Sequence, residues 1–81
     1  MVFMNKAEIA EVIRKHCTHL QPVSGEWTGE KIKPIRTALK KAEQELKEKL
    51  DALGVVDETR FLYSSRITDA LADKTRYFLR S

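Results

Sequence analysis

The sequence predicts an all-α fold, a single antiparallel three-helix bundle with a long connection between its first and second helices. Three observations carry this expectation. The 81 residues are 42% hydrophobic and 33% charged, a globular balance. Only 3 glycines and 2 prolines are present, too few turn-formers for a sandwich or barrel of many short strands. Apolar residues recur at helical spacing in three segments, each marked by a start or stop signal.

The first helix is expected over about 5–20. Asn5 followed by Glu8 resembles a capping box, with Met4 placed to pack on Ile9. At 100° per residue, Ile9, Val12, Ile13, His16, Cys17 and Leu20 fall on one side. Residues 21–30 contain Pro22, Gly25 and Gly29 and form the expected loop, with Trp27 inside it. The second helix is expected over about 31–53, since Thr28 can cap it and Pro34 suits a first turn. Ile32, Leu39, Leu46 and Leu53 recur every seventh residue, and Ile35, Ala42 and Leu50 widen the stripe, ahead of a terminating Gly54. Asp57 caps a third helix over about 57–79, with Val56 and Phe61 as a staple pair. One continuous helix places Phe61, Ser64, Ser65, Ile67, Thr68, Leu71, Ala72, Thr75, Phe78 and Leu79 on a single arc. That arc leaves Leu62, Tyr63 and Tyr77 outside it.

A chain of this length makes one domain, residues 1–81, and buries roughly 60–65% of its unfolded surface, so large multi-step enzymes are excluded. The lone Cys17 cannot form an intrachain disulfide, which points to a reducing compartment. Met1-Val2-Phe3-Met4 begins no signal-like segment, and no run approaches the roughly 20 apolar residues of a membrane span, so the expectation is a cytoplasmic protein without membrane contact.

Charge is the informative feature. Net charge is −1 over residues 1–30, +5 over 31–41, −4 over 42–59 and +3 over 60–81. The second helix therefore carries bases at its N-terminal end and acids at its C-terminal end, against its own dipole, which favours the reverse by roughly 0.3–1 kcal/mol per well-placed charge. Antiparallel packing would gather Arg14, Lys15, Lys31, Lys33, Arg36, Lys40, Lys74, Arg76 and Arg80 towards one pole, with Trp27 available to stack on a base. The expected function is non-enzymatic: a helical module whose basic pole contacts an anionic macromolecule, nucleic acid first. The competing readings are a solvated charged end with exposed ion pairs, and a protein adaptor or homodimer using the second helix or the outer face of the third.

The individual polar residues point to structure more than chemistry. His16, Cys17 and His19 are three potential ligands, but successive helical residues diverge by 100°, so one ion would rarely reach all of them, and no metal or other cofactor is expected. His16 is expected to bond a neighbouring carbonyl, and Ser64, Ser65, Thr68 and Thr75 to bond back to carbonyls one turn earlier. No carboxylate lies on an apolar stripe, which leaves acid–base catalysis without a candidate. Trp27 reads most simply as a lid over the open end of the bundle.

Overall fold

The computed structural model describes residues 5–79 and consists of three helices: α1 (Lys6–Cys17), α2 (Gly29–Ala52) and α3 (Glu58–Phe78). No strand occurs among the described residues, and each helix packs on the other two. The molecule measures 44 × 19 × 17 Å.

Each helix starts where a side chain can accept from a free N–H. Asn5 Oδ1 accepts from Glu8 N at 2.9 Å, Thr28 Oγ1 from Lys31 N at 3.3 Å, and Asp57 Oδ1 from Thr59 N at 2.9 Å. The Thr28 cap starts α2 two residues earlier than the expected 31 and moves Pro34 out of the first turn into the helix. Helix α1 stops at Cys17, short of Leu20. Pro22 disfavours helical geometry at Gln21, and Leu20 N closes a tight turn onto the Cys17 carbonyl at 3.0 Å. The proposed staple between Met4 and Ile9 involves a residue outside the described ones.

Helix α2 ends as its glycine predicts. Gly54 has φ +71°, its N–H donates to the Asp51 carbonyl at 3.0 Å, and Val55 N donates to Leu50 at 3.2 Å. This is the Schellman pattern, which satisfies carbonyls that would otherwise be orphaned. The Arg60 guanidinium then spans the turn, pairing with Asp51 and donating to the Val55 carbonyl at 3.1 Å.

The core is built from Ile9, Val12, Ile13 and Cys17 of α1, Ile35, Ala38, Ala42, Leu46 and Leu50 of α2, and Tyr63, Ile67 and Phe78 of α3. The α1 stripe is as the periodicity predicts, with His16 and Leu20 at its edges. On α2 the buried line runs in four-residue steps from Ala38 to Leu50, while Ile32 and Leu39 are half-buried and the C-cap Leu53 is exposed. Val23, in the segment between α1 and α2, is also buried, and its N–H donates to the Phe78 carbonyl at 2.7 Å.

Helix α3 is continuous through Ser64 and Ser65, but its buried face is rotated from the expected one. Tyr63 is 5% exposed, whereas Phe61 is 74% exposed. The Val56–Phe61 staple is therefore not buried, since Val56 is exposed as well. Ser65 and Thr68 also face solvent, and only Thr75 of the four hydroxyl residues makes the expected bond, donating to Leu71 O at 2.8 Å. Seven of the ten arc residues are buried or half-buried, so the face is shifted and not reversed: Tyr63 joins it, while Phe61, Ser65 and Thr68 fall outside it.

Chemical denaturation distinguishes the two faces. Leu46→Ala removes a fully buried side chain and is expected to cost about 2–5 kcal/mol, whereas Phe61→Ala should stay within about 0.5 kcal/mol of wild type. Gly54→Ala forces a Cβ into the left-handed region and should cost about 1–2 kcal/mol.

Candidate nucleic-acid interface

The cations predicted to gather at a basic pole divide into engaged and free groups. Arg14 pairs with Glu11, and Arg76 with Asp73 at 2.9 Å, both as exposed neighbours one turn apart. Lys15 Nζ reaches Glu45 at 2.9 Å across the α1–α2 contact. Lys31 Nζ donates to the Ser24 carbonyl at 2.9 Å, holding the turn in which Gly25 adopts φ +81°. Lys74 lies over aromatic rings, 5.0 Å from the Tyr77 centroid and 5.5 Å from that of Phe78, a cation–π arrangement. Arg80 lies outside the described residues.

Lys33, Arg36 and Lys40, together with the neighbouring Lys41, are exposed and make no ion pair or hydrogen bond among the described residues. They lie within or just beyond the N-terminal half of α2, with Thr37 between them. At 1.5 Å rise per residue, the span from Lys33 to Lys41 is about 12 Å. Two shallow grooves flank this face and share Lys33 and Thr37. One, of about 440 Å³, is bordered by Gly29, Ile32, Arg36 and Lys40. The other, of about 450 Å³, runs towards α1 and is bordered by Lys15, His16, His19 and Lys41.

The second groove brings together residues that sequence spacing did not connect. His16 Nε2 donates to Glu45 Oε1 at 2.9 Å, and not to a carbonyl as its place on the stripe suggested. Glu45 thus joins Lys15 and His16 of α1 to α2, and it is half-buried at the edge of an apolar stripe. Hydrogen bonds from Lys15 and His16 hold its carboxyl below the ordinary carboxylate range, against the opposing effect of partial burial. One signal pointed to it: Ala38, Ala42 and Glu45 recur at three- and four-residue spacing, which puts Glu45 beside the surface that α1 covers.

Cys17 has a different environment. It is buried in the core, and burial pushes its thiol pKa up while nearby Lys74 pulls it partly back. The neutral thiol is a poor nucleophile. Trp27, by contrast, is 53% exposed and lines a groove with Asp73, Arg76, Tyr77 and Leu79 at the end of α3, so it is not a closed lid.

The depressed Glu45 pKa has a stability consequence. Its contribution is present above the unfolded-state value of about 4.3 and is lost as pH falls through the lower folded value. Wild type should therefore resist urea better than Glu45→Gln at neutral pH, with the difference closing as the solution is acidified below about pH 4. A difference that persists unchanged to strongly acidic pH would rule out the carboxylate as its source.

The chain matches no known family model, no curated protein sequence and no solved structure. What marks its surface is the run of four unpaired cations within or just beyond the N-terminal half of α2.

Proposed function

We propose that this protein is a non-enzymatic binding module that contacts nucleic acid through α2, with Lys33, Arg36, Lys40 and Lys41 neutralising phosphates. The observation that supports this reading is the division among the cations. Most of the others rest on carboxylates, a carbonyl or aromatic rings, while these four have no protein partner among the described residues. Adjacent like charges at helical spacings of three and four residues are destabilising by roughly 0.2–0.5 kcal/mol per pair. A polyanion relieves that repulsion and releases counterions. The spacing suits it, because a span of about 12 Å covers roughly three to four nucleotides of one strand.

No described helix is long and apolar enough to cross a membrane. A cytoplasmic location agrees with the single, buried thiol.

Fluorescence anisotropy with a labelled oligonucleotide tests the proposal. Neutralising four phosphates predicts a slope of about −3 in log K against log salt, or roughly a 50-fold loss of affinity between 50 and 200 mM salt. Reversing Lys33, Arg36 and Lys40 together to Glu should abolish binding and leave the fold intact, because all three side chains are exposed and none pairs within the fold. Retained affinity in that variant would reduce the cationic face to solvated surface.

A second reading, a homodimer, is favoured by Leu53, Val56, Phe61 and Leu62, four exposed apolar side chains within the segment that joins α2 to α3 and opens α3. An isologous contact would bury the same patch on both copies. Light scattering should then show a concentration-dependent dimer that Phe61→Asp dissociates without weakening oligonucleotide binding. A monomer at high concentration would eliminate this reading.

A further inference from the structure

We infer that the groove between Trp27 and Tyr77 receives an unstacked nucleobase, which makes the protein selective for single-stranded over duplex nucleic acid. The inference rests on the nucleic-acid reading of α2 and adds a ligand class and two contact residues to it. Trp27 and Tyr77 are each 53% exposed, although both have large apolar surfaces, and together they border a groove of about 570 Å³. Tyr63 and Phe78 are buried in the core, and Phe61 lies near the opposite end of α3. Trp27 and Tyr77 are thus the exposed aromatic pair available at one site among the described residues.

Contacts fasten both walls of the groove at the backbone or the ring. Trp27 directly precedes the Thr28 cap of α2. The segment leading to it is fastened twice, by Val23 N to the Phe78 carbonyl and by Lys31 Nζ to the Ser24 carbonyl. Tyr77 packs edge-on against buried Phe78, with ring centroids 5.3 Å apart, and carries the Lys74 ammonium over its ring. The Tyr77 ring and the backbone that carries Trp27 are therefore set before any ligand arrives, which lowers the ordering cost of binding.

Charge sorts the ligand. Gly29, two residues beyond Trp27 in the chain, borders the groove that holds Lys33, Arg36 and Lys40, so only Thr28 separates the aromatic groove from the cationic one along the chain. A strand whose phosphates follow α2 can place one base at Trp27 and Tyr77. There the exposed Asp73–Arg76 pair offers an acceptor and donors to a base edge, and so loose a pair is easily exchanged. In a duplex the bases remain stacked inside the helix and only the cationic face is used.

Trp27 is the single tryptophan, so its emission reports directly on this site. Titration with an oligothymidylate of about 12 nucleotides should quench it, whereas a duplex of equal length should bind more weakly and leave emission nearly unchanged. Trp27→Ala and Tyr77→Ala should each weaken single-strand binding by roughly 5- to 150-fold, the range for one stacked base, with little effect on the duplex. Tyr77→Phe, which keeps both the ring and its packing on Phe78, should retain affinity. Equal affinity for single strand and duplex, unchanged emission at saturation, or wild-type affinity in both alanine variants would overturn the inference. If the Lys33, Arg36 and Lys40 reversal still abolished binding, the α2 reading would stand without it. Absence of salt-sensitive binding to either probe would reject both.

Discussion

The hydrogen bond from Val23 N to the Phe78 carbonyl, 2.7 Å long and made between two buried residues, is the contact on which one end of the molecule depends. Helix α1 has 12 residues and α2 has 24, so at 1.5 Å per residue α1 spans about 18 Å against about 36 Å. A helix that short cannot cover the whole apolar stripe of its partner. Residues 18–28 supply part of the missing cover, with Val23 entering the core beside Phe78 and Leu20 packing at its edge. The direction in which the chain then enters α2 follows from this anchor. So do the places of Thr28 as cap, of Lys31 as the clamp on Ser24, and of Trp27 between them.

The same arrangement separates cations that serve the fold from cations that do not. Lys15 is consumed by the Glu45 bridge, Lys31 by the loop, Lys74 by aromatic rings and Arg60 by the turn between α2 and α3. Lys33, Arg36, Lys40 and Lys41 are left without a partner among the described residues, on the part of α2 that follows its first turn. Surface ion pairs of the Arg14–Glu11 or Arg76–Asp73 kind contribute little in either direction. Ion pairing within the fold therefore does not explain a cationic run without partners, and the proposed function supplies an external anion for it.

How much of this could be read from the sequence depended on the range of the interaction concerned. Caps act within one turn, so Asn5, Asp57 and Gly54 were legible from their immediate neighbours. The α1 stripe was legible because its other face is almost wholly charged or polar. Helix α3 was legible in part. Ile67, Leu71 and Phe78 lie on the expected arc and are buried or half-buried, whereas Tyr63 is buried in place of Phe61 because packing against the other two helices decides between neighbouring apolar residues. Among the ion pairs, Arg14–Glu11 and Arg76–Asp73 follow from three-residue spacing alone, whereas Lys15 and His16 meet a carboxylate about thirty residues away. The sequence therefore located the charge, and only the tertiary contacts revealed which charges remain unspent.

Trp27 and the α2 cations are joined in the proposed function by the chain itself, since Trp27 directly precedes the cap of α2. Trp27 could have closed the core, but Val23 and Phe78 already fill that position, and the Thr28 cap immediately after Trp27 fixes where the helix begins. An indole held beside a helix start, with more than half its area in water, lacks the burial that would make it a core residue. It lines a groove with Tyr77 and the Asp73–Arg76 pair, and the groove that includes Gly29 and Lys40 starts two residues further along the chain. The ligand of the proposed function, with alternating planar and anionic parts, matches the chemistry of both grooves. Neither a bare phosphate nor a purely apolar partner would use the two together.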